Sequence, residues 1–157
     1  MDHDRDVMTH CVYAYMSHIR ALRAAIEDIE EEIREKESSL TLMGVDYSGM
    51  QGASPASADK LPDGVIGLLD LRERLSDEHA TASRDIAYAR ALCRGSEDLR
   101  VLWMNRVERL TYSEIAMRTL QGQRTVRRCA ERAVPLMYHL MPEEWRRDPI
   151  PNAQVGR

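Results

Sequence analysis

The chain has 157 residues, of which 43% are hydrophobic and 31% are charged, so one or two small, soluble domains rich in helix are expected. Aromatic residues make up only 5% and phenylalanine is absent, which predicts an aliphatic core with nine methionines filling gaps. No run of about 18 apolar residues occurs, and the N-terminus MDHDRDVMTH is acidic and polar, so we expect neither a membrane span nor a secretory signal.

Charge is distributed unevenly along the chain, whose net value is −4. Residues 1–93 hold 10 basic and 18 acidic side chains, a net −8, whereas residues 94–147 hold 11 and 7, a net +4. A basic segment behind an acidic one indicates that the C-terminal part faces nucleic acid. The cysteines Cys11, Cys93 and Cys129 are far apart and odd in number, which predicts free thiols in a reducing cytoplasm.

The first predicted element is a long helix. An apolar series steps alternately by four and three residues, the heptad spacing of a coiled coil. No Pro or Gly occurs between Met1 and Met43, and Lys36 alone breaks the series. The accompanying acidic residues are interpreted as a solvated helix face in preference to an acidic binding surface. The members of the series are Met8, Val12, Tyr15, Ile19, Leu22, Ile26, Ile29, Ile33 and Leu40.

A flexible linker is predicted at residues 41–62, where Gly, Ser and Pro are dense, and a second long helix follows at 63–92. His79 falls on the apolar stripe of this helix, where a packed histidine is favoured over a metal ligand because no second ligand lies four residues away. The two helices are predicted to form an antiparallel, coiled-coil-like hairpin over residues 1–94. Because such a pair buries little surface, dimerisation or docking on the third segment is expected. The stripe consists of Val65, Leu68, Leu75, His79, Ala82, Ile86 and Ala89.

A helix-turn-helix domain is predicted at residues 95–147, followed by a disordered tail at 148–157. Gly95 closes the second helix, Ser96 caps the next one, and Trp103 is the expected core anchor of that supporting helix. The segment behind Pro135 is interpreted as core, with a Met/Trp surface for a protein partner as the alternative. Its apolar residues are Leu136, Met137, Leu140, Met141 and Trp145.

The stretch from 110 to 134 predicts the two helices of that motif. Thr111 and Glu114 have the spacing of a capping box, so a helix is expected from Tyr112, and Gly122 then breaks the pattern. Ile115, Ala116 and Leu120 are predicted on the inner side of the first helix. In the second helix, Val126, Cys129, Ala130 and Ala133 fall on one side, and Arg124, Arg127, Arg128 and Glu131 fall on the other.

The same stretch resembles the helix-turn-helix of sigma factor region four. Three features of that pattern are matched: EIA at 114–116, TV at 125–126 and RA at 132–133. The chain departs from it with Gln121 in place of an apolar residue, Gly122 in place of a serine cap, and Pro135, which is expected to interrupt the end of the second helix. The remaining chain is similar to phage-encoded transcriptional regulators of the RinA and ArpU kind. The resemblance implies promoter DNA as a partner and, as a variant, contact with RNA polymerase.

The sequence therefore predicts an all-α, DNA-binding transcriptional regulator, of phage or prophage origin by the resemblance. Double-stranded DNA is the expected partner, and the long helices are expected to form a homodimer. Gln123 and Arg124 are predicted to approach base edges, while Arg127, Arg128 and Arg132 contact phosphates. Thr125 completes this candidate DNA-binding set.

Three other interpretations are kept open. The arginines could simply solvate an outer helix face. The chain could be a phage small terminase subunit, which packages DNA as a ring, or a coiled-coil protein whose helix-turn-helix binds protein. No Walker loop, GxSxG or HExxH sequence is present, so we expect no enzyme, cofactor or metal site.

Overall fold

The computed structural model describes residues 2–42 and 63–146. These residues form α1 (Asp2–Leu42), α2 (Asp63–Arg94), α3 (Glu97–Arg106), α4 (Tyr112–Thr119) and α5 (Gln123–Leu140), with a short 3₁₀ helix at Glu143–Trp145. The described residues contain no strand, so the all-α prediction is confirmed. No helix among them combines the length and apolar character needed to cross a membrane.

Two predictions fall largely outside the residues that the structure describes. The predicted linker, 41–62, overlaps α1 at Thr41 and Leu42, which are helical, and its remainder lies outside the described residues. The predicted tail, 148–157, also lies outside them.

The chain divides into two compact units. The first unit contains the chain up to Leu22 and from Asp85 onward, and the second contains Arg23–Arg84. This division differs from the predicted boundary between 94 and 95. The reason is that the start of α1 and the end of α2 contribute side chains to the same core as α3 and α5.

In the second unit, side chains of α1 and α2 pack together in an aliphatic cluster. Leu40 near the end of α1 lies against Gly64 at the start of α2, where an added Cβ would come within 2.9 Å of the leucine Cδ2. Arg72, which occupies the heptad position between Leu68 and Leu75 in α2, forms an ion pair with Glu37 of α1. The buried members of the cluster are Ile29, Ile33, Leu40, Val65 and Leu68, all from the two predicted stripes.

The first unit contains a larger core to which α1, α2, α3 and α5 contribute. Trp103, the predicted anchor, is 6% exposed, and its indole nitrogen donates a hydrogen bond to Glu108 Oε1 at 3.2 Å. Met16 and Met137 are fully buried in the same core, in keeping with the predicted use of methionine as a filler. Burying each such side chain stabilises the fold by about 1.5–3 kcal/mol.

The segment behind Pro135 is divided between core and surface. Met137 and Met141 are fully buried, and Trp145 packs partly buried against the core. Leu136 and Leu140, however, are 43% and 44% exposed. The core interpretation therefore holds for the methionines and Trp145, and the two leucines remain accessible.

Two local predictions were wrong. His79 is exposed and pairs with Ser83 Oγ at 2.9 Å through Nδ1, because it lies between the two clusters, where the stripe is only partly covered. Pro135 does not interrupt α5, which continues to Leu140. Proline in a helix costs about 3 kcal/mol. Here Pro135 lies on the exposed side of the helix, and burial of Val134 and Met137 offsets the cost.

Candidate nucleic-acid interface

The last three α-helices, α3 to α5, enclose a second small core of the first unit. Val101 of α3, Ile115 and Ala116 of α4, and Val126, Cys129 and Ala130 of α5 are its buried members. Small and β-branched side chains let short helices approach closely, which fixes the position of α5 relative to α4. The predicted inner positions Ile115, Ala116 and the small residues of α5 are confirmed.

A capping box starts α4, as predicted. Thr111 Oγ1 accepts a hydrogen bond from the Glu114 backbone N–H at 3.2 Å, and the Glu114 carboxylate accepts from the Thr111 backbone N–H at 2.7 Å. These bonds satisfy backbone donors that the first turn leaves unpaired. The bond from Thr111 N–H is the main cause that lowers the pKa of Glu114.

The turn between α4 and α5 differs from the prediction at Leu120. This residue lies beyond the end of α4 in the left-handed conformation, with φ 56° and ψ 35°, and is 94% exposed instead of facing inward. The reversal of the backbone turns its side chain away from the face of Ile115 and Ala116. Gln121 is the half-buried residue of the turn, and it donates a hydrogen bond to Glu97. Met117, one turn before Leu120, is 69% exposed.

The outer face of α5 carries the predicted DNA-binding side chains. Gln123, Arg124, Thr125, Arg127 and Arg128 are all exposed, and Arg124 and Arg128 lie opposite the buried face of the helix. The Arg127 guanidinium lies 5.9 Å from the centroid of the Tyr112 ring at the start of α4. Within the described residues, the side chains of Arg124 and Arg128 form no hydrogen bond or ion pair. These donors are therefore open to solvent.

Arg132 is held differently from the other arginines. Its Nε and Nη2 donate to the two carboxylate oxygens of Asp98 in α3 at 3.0 and 2.9 Å, and Nη2 also contacts Cys129 Sγ at 3.4 Å. The hydrogen bond from Arg132 is the main cause that lowers the pKa of Asp98. A bidentate pair fixes the guanidinium. The structure thus exposes five of the six predicted residues in the first two turns of α5, with Arg127 near the Tyr112 ring, and pairs the sixth, Arg132, with Asp98 of α3.

The N-terminus of α5 differs from those of α3 and α4. Ser96 and Thr111 cap α3 and α4 with side-chain hydrogen bonds, and both helices carry acidic residues in the first turn. Gly122, the N-cap residue of α5, provides no side-chain hydrogen bond, and the first turn of the helix contains no acidic residue. The backbone N–H groups and the positive end of the helix dipole are thus open to an external anion.

The metal-ligating side chains of the described residues do not gather into a site. These residues contain no group of three or more His, Cys, Asp and Glu side chains that could hold a metal ion. Cys11, Cys93 and Cys129 are buried thiols. Burial raises the pKa of Cys93 to about 12 and also raises that of Cys129, so both thiols stay protonated at neutral pH.

Geometry and charge define an all-α protein with one helix that is apolar inward and basic outward. Guanidinium, amide and hydroxyl groups on such a face are the donors that contact phosphates and base edges. Comparison of the chain with family models, with curated proteins and with solved structures found no match.

Proposed function

We propose that the chain is a sequence-specific DNA-binding transcriptional regulator, in which α4 and α5 act as a helix-turn-helix and α5 enters the major groove. The main support for the proposal is that the first two turns of α5 expose Arg124, Arg127 and Arg128, whereas Val126 in the same turns is buried. The uncapped, acid-free start of α5 supports it, because phosphate binds where N–H groups and positive charge converge.

The side chains divide into two proposed roles. Gln123 and Arg124 lie in the first turn, the part of a recognition helix that meets base edges, and an arginine bidentate to guanine discriminates by about 1–3 kcal/mol. Arg127 and Arg128 lie about a turn further on and contact phosphates, while Thr125 lies beside them. Arg132 contributes less than its position suggests, because Asp98 already holds its guanidinium.

Promoter recognition, a phage or prophage origin and homodimerisation through α1 and α2 belong to the same proposal. The first two rest on the resemblance to sigma factor region four and to the RinA and ArpU regulators. Dimerisation rests on the partly exposed middle of the two long stripes, where Leu22, Ile26 and Leu75 are only half-buried.

A second candidate function is protein binding by the same module. The exposed Met117 and Leu120 favour it, since apolar side chains at 69% and 94% exposure lose unfavourable hydration when a partner covers them. RNA polymerase is the partner that the resemblance implies, and its contact with these residues is compatible with DNA binding by α5.

The test is a fluorescence-anisotropy titration at several salt concentrations, using a duplex selected from random DNA and a scrambled one. Arg128→Ala should weaken binding to both duplexes and reduce the salt slope by about one. Arg124→Ala should chiefly reduce the preference for the selected duplex, by about 1–3 kcal/mol.

Arg74→Ala is the matched control, because Arg74 is exposed in the second unit and its loss changes the net charge equally. If the Arg124/Arg128 double variant binds both duplexes like the wild type, α5 is not the DNA-binding element and protein binding becomes the better interpretation. A ring of many subunits in light scattering would favour a packaging role over regulation.

A further inference from the structure

The first unit contains a cavity of about 400 Å³, and none of the arginines of α5 lines it. It is lined by side chains from α1, from the end of α2 and from the segment around the 3₁₀ helix. Four of these side chains are aromatic, Tyr15, His18, Tyr88 and Trp145, and two are carboxylates, Asp85 and Glu144.

The aromatic wall is packed into a fixed arrangement. The Trp145 ring centroid lies 5.7 Å from that of Tyr15 and 4.9 Å from that of His18. Tyr15 is 3% exposed and belongs to the core, whereas Tyr88 is 48% exposed, and its hydroxyl donates to the Leu140 carbonyl at 3.4 Å. Aromatic rings carry a negative quadrupole on their faces, so a ring whose face borders the cavity attracts a cation.

The cavity is also acidic. Neither Asp85 nor Glu144 forms an ion pair within the described residues. Arg146, two residues after Glu144, donates to the backbone carbonyls of His139 and Met141, and Arg84, next to Asp85, donates to the Ala80 carbonyl; neither arginine lines the cavity. Burial, followed by the negative charges around it, including those of Asp85 and Glu144, raises the pKa of Tyr15 well above its ordinary value.

We propose that this cavity binds an organic cation that carries N–H donors, a guanidinium or primary ammonium group. The ring faces attract the positive charge, and the two unpaired carboxylates accept its hydrogen bonds. A planar guanidinium satisfies both demands at once, since it stacks on aromatic rings and donates in its own plane. The site is independent of the proposed DNA binding, and its cation is supplied either by a partner's side chain or by a small molecule.

The decisive probes are N-acetyl-arginine amide and its citrulline counterpart, which has the same shape without the charge. Binding is followed by NMR on the two indole N–H resonances of the full chain. The Trp145 resonance should shift on titration with the arginine compound, while that of buried Trp103 serves as an internal control. The citrulline compound should bind at least about tenfold more weakly, the ratio that corresponds to about 1.4 kcal/mol.

Two isosteric variants locate the site. Asp85→Asn and Glu144→Gln should each weaken arginine binding severalfold, whereas Glu143→Gln should leave it unchanged, because Glu143 is an exposed neighbour that does not line the cavity. All three positions are exposed, so the fold should persist, and thermal melting verifies this. Equal binding of the citrulline compound, equal loss in Glu143→Gln, or no shift of the Trp145 resonance in the millimolar range overturns the proposal.

The source of the cation is tested with a short peptide that carries arginine between two apolar residues. Tighter binding of this peptide than of the single amide, with the same loss in Glu144→Gln, supports the site and identifies a partner's side chain as its occupant. Equal affinity supports the site and identifies a small molecule.

Discussion

Replacing Thr111 by alanine removes half of the capping box at the start of α4. The substitution eliminates the bond that Thr111 Oγ1 accepts from Glu114 N–H at 3.2 Å and the one it donates to the Glu114 carboxylate at 2.8 Å. The backbone bond from residue 111 to that carboxylate persists. Because Thr111 is exposed, water replaces part of the loss, and the expected cost is about 1 kcal/mol of unfolding free energy.

That cost converts into a measurable fall of the melting temperature. With an unfolding entropy of about 2.1 cal/mol/K per residue, 1 kcal/mol lowers Tm by about 3 °C if all 157 residues unfold together. The fall is about 5 °C if only the first unit, about 95 residues, unfolds in the transition. Thermal unfolding followed by circular dichroism and calorimetry measures it.

Thr9→Ala is the matched control for this substitution. Thr9 lies inside α1, where its hydroxyl bonds back to the Arg5 carbonyl at 2.8 Å, and alanine favours a helix interior. Its Tm should stay the same or rise slightly. If Thr111→Ala melts at the same temperature as the wild type, the capping box does not stabilise α4 and the argument from these bonds is refuted.

Two further predictions concern substitutions in the core and the dependence of stability on pH. Met137→Ala should cost about 2–5 kcal/mol, whereas Leu136→Ala, at a 43% exposed neighbour, should cost well under half of that; equal losses in chemical denaturation would contradict the assignment of the inner face. The pKa values of Asp98 and Glu114 are lowered in the folded chain, so both carboxylates stabilise it above their unfolded pKa values, and this contribution is lost as pH falls through the folded ones. Arg132→Ala should therefore be less stable than the wild type at neutral pH, and the difference should vanish in acid. A difference that persists when Asp98 is protonated would show that Arg132 acts through packing instead.

Local sequence signals predicted much of the candidate interface. Thr111 and Glu114 act over three residues, so their capping bonds are readable without knowledge of the fold. The buried face of α5 could also be predicted from the local sequence, because Val126 and Ala130 recur at the helical period. The apolar stripe also predicted most of the buried residues of α1, including Val12 and Ile19, but it did not include the buried Cys11 and Met16.

Features that depend on the tertiary structure could not be predicted from the sequence. The pairing of Arg132 with Asp98 joins residues on different helices, and no sequence pattern distinguishes it from the unpaired Arg128. The outward turn of Leu120 follows from a left-handed residue, a conformation that leucine seldom adopts and that no composition rule assigns to it. The division into compact units is not readable from the sequence, because heptad spacing continues through Leu22 and does not indicate which helix each turn of α1 contacts.

The three buried cysteines allow local opening of the first unit to be measured by thiol modification. Cys11 and Cys93 lie in the larger core, and Cys129 lies in the smaller core beneath the exposed arginines of α5, while Arg23–Arg84 contains no cysteine. A thiol reagent reaches these sulfurs only while the surrounding helices are open, so modification rates measure opening free energies of the two cores separately. A ligand that binds the closed form slows modification in proportion to its occupancy. Protection of Cys129 by DNA would therefore measure binding at α5 without any substitution in the chain.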